Sequence, residues 1–387
     1  MAYARFGCES VVLEGIASGR DFADLPIAVH AVTKGQAGLR RAGRGLLHRR
    51  GGVPAGMLTF GAFLAYYLFV YGLKPLRRMR RASLYHLHSY EYFPLALLWS
   101  ALFGGSIVYD AHDFYSGIQN AEELCPSQRR WIRRFMLWLE RTCVRRADAF
   151  LTVSDGTAAL MERQFGRRPQ VLRNCHDFRL DRRAAHTLRN TAGLAADEFL
   201  VVSTGQWKSG QATAEAIAAL KLLPAHVHLA FVGDGYEWVL PQAEEQGLAN
   251  RVHPIGAVPA DEVVPFIASA DAALVHYRRH SANYVHALPN GFFQALAAGL
   301  PLVYAELPEI DAAARAFGAG IRAEDCTPPA LAAALRRLVE DPAERERQRD
   351  AARVFSMGTN FEKEEKILDD ILRQLVAATS GDRSCAA

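Results

Sequence analysis

Cysteine is scarce in this chain and never paired at short spacing. Six cysteines (Cys8, Cys125, Cys143, Cys175, Cys326, Cys385) are scattered over 387 residues, with no C-x-x-C pair and no framework spacing. That scatter excludes a disulfide scaffold, argues against a zinc site and points to a reducing compartment. Internal repeats and low-complexity blocks are absent, which excludes solenoid and disordered architectures. The opening residues, M-A-Y-A-R-F-G-C-E-S, lack a basic stretch followed by an apolar core, so no secretory leader is expected. No catalytic triad pattern is present. What remains is globular: half of the residues are hydrophobic and 22% are charged. The length favours two domains over one.

Acidic residues are sparse in the first half. Residues 1–190 hold 28 Lys+Arg against 15 Asp+Glu, a balance of +13, whereas the remainder holds 17 against 26, a balance of −9. The basic residues come in runs, among them Arg40-Arg41, Arg49-Arg50, Arg77-Arg78, Arg80-Arg81, Arg133-Arg134 and Arg145-Arg146. Such a half suits an anionic membrane surface or an anionic acceptor, and it equally suits solvated helix faces. Nucleic acid is disfavoured because no recognition motif accompanies the charge. Residues 51–73 carry no charge at all. That run passes the ~18-residue threshold for a transmembrane candidate and is flanked by Arg49-Arg50 and by Lys74 with Arg77-Arg78. A span would separate residues 1–50 from the rest, yet segments 10–13 and 26–32 read as strands that need partners. A helix partly buried in the first domain and partly in the membrane interface is therefore favoured over a plain core helix or a true span.

Short apolar strands alternate with helices throughout. Strands are expected near 83–88, 106–109, 149–153 and 170–173, then near 198–204, 227–233, 272–276 and 301–304. Helical patterns lie between them, as at 127–146, 156–165, 212–223 and 261–268. This alternation implies α/β architecture with parallel sheets and helices on both faces. The polar stretch 181–197 marks a boundary. It divides the chain into a first domain (1–185), a second domain (186–360) and a final helix with tail (361–387), the helix itself expected over 361–377. The most specific stretch is 270–309. A buried strand leads through a polar loop into a helix opened by Pro289-Asn290 and stopped by Gly299-Leu300-Pro301, followed by another strand. Backbone N–H groups at such a helix start can hold an anion, and strand–loop–helix junctions of this kind are where α/β proteins place nucleotides.

The chain resembles the retaining GT-B glycosyltransferases of the group 1 (GT4-like) family. The resemblance rests on T-G-Q-W-K-S-G-Q (204–211), V-H-L-A-F-V-G-D-G (227–235), R-V-H-P-I-G-A-V-P-A-D-E-V (251–263), A-D-A-A-L-V-H-Y (270–277) and N-Y-V-H-A-L-P-N-G-F-F-Q-A-L-A-A-G-L-P-L-V (283–303). In the first half H-L-H-S-Y (86–90), V-Y-D-A-H-D (108–113), L-T-V-S-D-G (151–156) and R-N-C-H-D-F (173–178) also fit. The resemblance implies two doubly wound Rossmann-like domains facing across a cleft, and transfer of a sugar with retention from a nucleotide-sugar to an acceptor hydroxyl. A lipid-linked or polysaccharide acceptor, a cytoplasmic location peripheral to the inner membrane face, and contact through residues 51–73 are expected. No cofactor and no metal are expected.

The resemblance also implies site residues. Gly205, Gln206, Lys208, Asn283, Tyr284, Pro289, Asn290, Gly291 and Gln294 match donor-binding positions. His112 matches a histidine beside the donor sugar, the catalytic candidate. His88 and Tyr90 match an acceptor-side loop. Each of these also has a plain reading as a core or capping residue. Several positions depart from the family pattern. Gln206 and Gln211 stand where cations are common, Gly291 where Lys is usual, and Gln294 where Glu is. A Gln in place of that Glu weakens a ribose contact by about 1 kcal/mol. The family's first strand and glycine-rich loop have no counterpart ahead of residue 10. These departures keep open a second reading, a catalytically degenerate GT-B protein acting as a binding or partner subunit.

Overall fold

The computed structural model describes residues 11–14, 28–31, 60–61, 63–76, 79–115, 126–305 and 307–384. The chain separates into two compact units. One comprises Met1–Val153, Thr157–Leu172 and Glu365–Ala387; the other comprises Ser154–Gly156 and Arg173–Glu364.

In the first unit, β1 (Val11–Glu14) and β2 (Ala28–Ala31) form a parallel pair. A four-stranded parallel sheet follows in the order β3 (Leu84–Leu87), β4 (Ser106–Ala111), β5 (Ala149–Thr152), β6 (Gln170–Val171). Strand β4 shows why a parallel strand reads as one apolar run: it is buried on both faces. Ile107, Tyr109 and Ala111 join a core with Phe93, Phe150 and Met161, while Val108 joins Leu151 and Leu172 on the other side. That second core is closed by Leu368, Ile371 and Leu372 of the final helix, Phe361–Ser384. Helices Phe93–Phe103, Pro126–Arg146 and Asp155–Phe165 supply the crossovers.

The helix expected in the uncharged run is present over residues 63–76, with a π-helical turn at Leu68–Leu73. Residues 51–59 and 62 lie outside the described residues. Among the described residues no helix is long and apolar enough to cross a membrane.

The second unit is a six-stranded parallel sheet in the order β12-β11-β10-β7-β8-β9. Its strands are β7 (Phe199–Thr204), β8 (Val227–Val232), β9 (Val252–Ile255), β10 (Ala272–Val275), β11 (Leu302–Tyr304) and β12 (Ile321–Arg322). Period-two alternation splits β7 between two cores: Leu200 and Val202 face one, Phe199 and Val201 the other. From β7 the chain winds outward to β8 and β9, then returns to β10 on the opposite side. The topological switch point therefore lies between the carboxyl ends of β7 and β10, the place where open α/β sheets bind ligands. Strands β9 and β12 are additions to the sequence expectation. The first carries Pro254 at the sheet edge and the second is two residues long, so neither shows an apolar run.

Candidate functional site

Two adjacent strand ends in the first unit carry polar residues at i, i+2 spacing: His86 on β3 with His88 just past its end, and Asp110 on β4 with His112 just past its end. Side chains two apart share a face of a strand. His86 lies opposite Val108 in the ladder, and that register, continued two residues, sets His88 opposite Asp110. The result is a cluster around one carboxylate oxygen. His86 Nε2, His88 Nδ1 and His112 Nε2 each lie 3.4 Å from Asp110 Oδ2. His88 Nδ1 and His112 Nε2 are 2.8 Å apart. Burial opposes ionisation of Asp110, but contact with His112, His86 and His88 outweighs it and holds the carboxyl well below the usual carboxylate range. Burial likewise disfavours charge on His112, yet Asp110 raises its affinity for a proton above the ordinary imidazole value. His86 goes the other way, its burial outweighing the attraction of Asp110. Tyr90 is buried in the core, its ring edge-on to Tyr115, whose hydroxyl donates to the His88 carbonyl.

The second unit builds its site from backbone. Gly205 leaves β7 with φ of 112°, in a region that glycine adopts freely. Its carbonyl runs so close to Gly233 (φ 147°) that a Cβ there would overlap it. Helix Asn290–Ala297 begins against the end of β7: a Cβ on Gly291 would sit 2.7 Å from Thr204 Oγ1 and 2.9 Å from the Thr204 carbonyl. Gln294, one turn on, accepts a 3.0 Å hydrogen bond from the Thr204 hydroxyl. Pro289 precedes the helix in extended conformation and no side chain caps it; of its first N–H groups that of Phe292 donates to the Pro289 carbonyl at 2.9 Å.

Neighbouring side chains fix the loop after β7. Gln211 is buried; it accepts from the Lys208 N–H at 3.2 Å and from Tyr236 Oη at 3.1 Å, and donates to Tyr277 Oη at 3.1 Å. A lysine or arginine at that position would bury a charge among tyrosines, which explains the glutamine. Arg278 binds Glu215 at 2.6 Å and the Gln211 carbonyl at 2.6 Å, tying the loop to the end of β10. Tyr284 stacks on Tyr277 with ring centroids 5.8 Å apart and lies over Gly210, where a Cβ would come within 2.6 Å of its ring. Asn283 is half-buried beside it, whereas Gln206, Lys208 and Asn290 are exposed.

The residues expected from sequence thus fall into two groups. Gly205, Gln206, Lys208, Pro289, Asn290, Gly291 and Gln294 gather at the switch point of the second unit, with Asn283 and Tyr284 along its edge. His88 and His112 meet in the first unit. Sequence reading missed Asp110, His86 and Thr204. The i, i+2 pairs H-x-H and D-x-H at consecutive strand ends are the signal that would have found the first two.

Residues 2–175 match the glycosyl transferase 4-like domain, and residues 198–341 match the glycosyl transferases group 1 domain. No curated protein matches the chain. Among solved structures, sucrose-phosphate synthase from Thermosynechococcus elongatus is similar with a TM-score of 0.67 at 17% identity, covering 97% of this chain and 91% of that one. HepE of Anabaena, solved with UDP-glucose, is similar with a TM-score of 0.61 at 17% identity over 91% of this chain and 86% of that one. WaaG, a glycosyltransferase of lipopolysaccharide biosynthesis, gives a TM-score of 0.58 at 18% identity over 73% of this chain and 81% of that one. At these identities the likeness speaks for the fold.

Proposed function

Because this chain belongs to the group 1 glycosyltransferases of GT-B fold, we propose that it moves a sugar, with retention, from a nucleoside-diphosphate donor to a hydroxyl of a lipid-linked or polysaccharide acceptor. The observation that carries the donor half is the junction of β7 with helix Asn290–Ala297. There Gly291 packs on Thr204 and an uncapped helix start adjoins the Gly205–Gln206 turn. In the transition state the leaving diphosphate gains negative charge. The helix N-terminus, the Gly205–Gln206 backbone and the Lys208 ammonium are assigned to that charge. Gln294, oriented by Thr204, is assigned to the ribose hydroxyls, with Asn283 and Tyr284 along the donor's flank. In the first unit His112 is assigned to the transferred sugar and His88 to the acceptor. No cofactor enters this scheme.

UDP is the first donor nucleotide to try, since HepE and pneumococcal GtfA were solved with it. The test is thermal shift and donor hydrolysis across UDP-, GDP- and ADP-sugars, with the product anomer read by NMR. A true donor at 100-fold its Kd stabilises the fold by about 2.7 kcal/mol. An inverted product anomer would overturn retention. The binding-subunit reading has its own support, because Gln294 replaces a carboxylate and its oxygen is already engaged by Thr204. Donor stabilisation without hydrolysis or transfer would favour that reading.

The membrane clause rests on the helix at 63–76. Leu68, Phe69 and Leu73 are 54%, 49% and 62% exposed, and the exposed Arg80 and Arg81 follow. Apolar insertion beside basic residues suits the anionic face of a membrane. Co-sedimentation with phosphatidylglycerol vesicles, weakened by salt and by Phe69→Asp, is expected; equal binding to neutral vesicles would contradict the electrostatic part.

A further inference from the structure

The cluster on β3 and β4 has the chemistry of a metal site, which neither the fold family nor the scattered cysteines call for. Its donors are imidazole nitrogens and one carboxylate oxygen, the set that zinc-class ions take. Four ligands at zinc distances on a tetrahedron stand about 3.3–3.4 Å from one another, the edge that follows from bonds of about 2.0–2.1 Å. Asp110 Oδ2 is already 3.4 Å from each of His86 Nε2, His88 Nδ1 and His112 Nε2. The edges from Asp110 to His86 and to His112 are therefore in place without movement. His86, His88 and Asp110 donor atoms all lie within 4.8 Å of one another. The 2.8 Å edge between His88 and His112 is too short for two ligands of one ion. It opens with a small rotation of His88, whose side chain is 61% exposed and has room to turn.

Burial supplies the second argument. The Asp110 side chain is 6% exposed. Its Oδ1 has no hydrogen-bond partner among the described residues. The three histidines already compensate its charge, and a divalent cation on Oδ2 would do so more directly. His86 is held on the ladder and Asp110 within a doubly covered strand, so half of the ligand set is preorganised by the sheet. Solvent reaches the cluster through His88 and His112, whose side chains are 61% and 34% exposed.

We infer that His86, His88, Asp110 and His112 form a site for one zinc-class divalent cation. All four ligands belong to the first unit. Two of its ligands are the residues assigned above to sugar and acceptor. An ion there would withdraw both from substrate, a consequence that rests on the transferase reading, whereas binding of the ion does not.

The test titrates Co²⁺ into metal-free full-length protein and follows the intense visible absorption of a tetrahedral site. One equivalent should bind, and Zn²⁺ should bleach the colour at the same stoichiometry. His88→Ala and His112→Ala should each weaken binding at least tenfold, as loss of a direct ligand exceeds the ten- to hundredfold typical of outer-sphere partners. His88 is exposed enough that its variant keeps the fold, which circular dichroism checks. His253→Ala, in the second unit's separate histidine pair with His228, should leave Co²⁺ affinity unchanged. Absence of saturable binding would overturn the site, as would affinities within twofold of wild type in both ligand variants. Nucleotide-sugar thermal shifts on His88→Ala read the donor site separately, so the two proposals fail independently.

Discussion

The two units share parallel sheets with helical crossovers, yet they equip their strand ends differently. The first unit places ionisable side chains there: His86, His88 and His112 around Asp110. The second places glycines, amides and backbone, with Gly291 packed on Thr204, Gly233 against the Gly205 carbonyl and Gln211 buried among tyrosines. A carbonyl-and-amide site recognises a charged group without being charged itself, so it stays formed when the ligand leaves. A histidine–carboxylate cluster responds to whatever proton or cation reaches it. Ionisable side chains and close-packed backbone thus gather at the strand ends of different units.

The same contrast extends to two buried ionisable groups, Glu140 and His276, whose shifts make stability fall in opposite directions of pH. Glu140 in the first unit is buried against Tyr109, and burial pushes its carboxyl up to about 8. Its folded-state value exceeds the unfolded one of about 4.5, so the neutral form is favoured in the fold. The stability it leaves intact below pH 4.5 is lost as pH rises through 8, on the order of 5 kcal/mol in full. Glu140→Gln should flatten this fall when unfolding is followed by urea titration from pH 5 to 9; an unchanged slope would refute the assignment. In the second unit His276 is wholly buried between Ser203 and Thr213, and burial lowers it to about 4. Unfolded, it protonates near 6.5, so stability is lost as pH falls from 6.5 through 4, by roughly 3 kcal/mol. His276→Gln should reduce the loss of stability between pH 6.5 and 4 and leave the alkaline limb untouched. An acid limb unchanged by the substitution would refute the assignment of His276.

Smaller changes sharpen the comparison within the donor site. Gly291→Ala drives a Cβ to 2.7 Å from Thr204 Oγ1 and should cost about 2 kcal/mol of stability. It should weaken nucleotide binding while leaving Co²⁺ binding in the first unit intact. Gln294→Glu keeps the shape of the residue and adds charge assistance to a ribose contact, so donor affinity should rise by roughly fivefold, about 1 kcal/mol. Calorimetric titration of both variants decides these, and a Gln294→Glu that binds no better would remove Gln294 from the ribose.

Much of the fold was legible because burial writes itself into composition. Runs such as Val227–Val232 and Ala272–Val275 are apolar on every residue or nearly so, as strands covered on both faces must be. The helix start at Pro289-Asn290 and its stop at Gly299 (φ 68°) followed from local backbone rules. What stayed hidden depends on neighbours distant in sequence. Asp110 and His86 become a cluster only through the β3–β4 register, which strand patterns do not specify. Gly291 reads as a lost lysine until Thr204 is seen against it. Gln211 likewise reads as a missing cation, and in the fold it organises Tyr236, Tyr277 and the Lys208 amide. The final helix was legible at 361–377, but not that its Leu368, Ile371 and Leu372 close a core of the first unit.

The central claim is that the second unit holds a diphosphate through backbone at the β7 switch point. Its most direct test is calorimetric titration of wild-type protein with matched nucleotides: UDP against UMP, GDP against GMP, ADP against AMP. The account predicts that one diphosphate binds at least tenfold more tightly than its monophosphate, the ~1.4 kcal/mol expected when a charged β-phosphate meets oriented N–H donors. Equal affinity within every pair, or no binding by any, would contradict it.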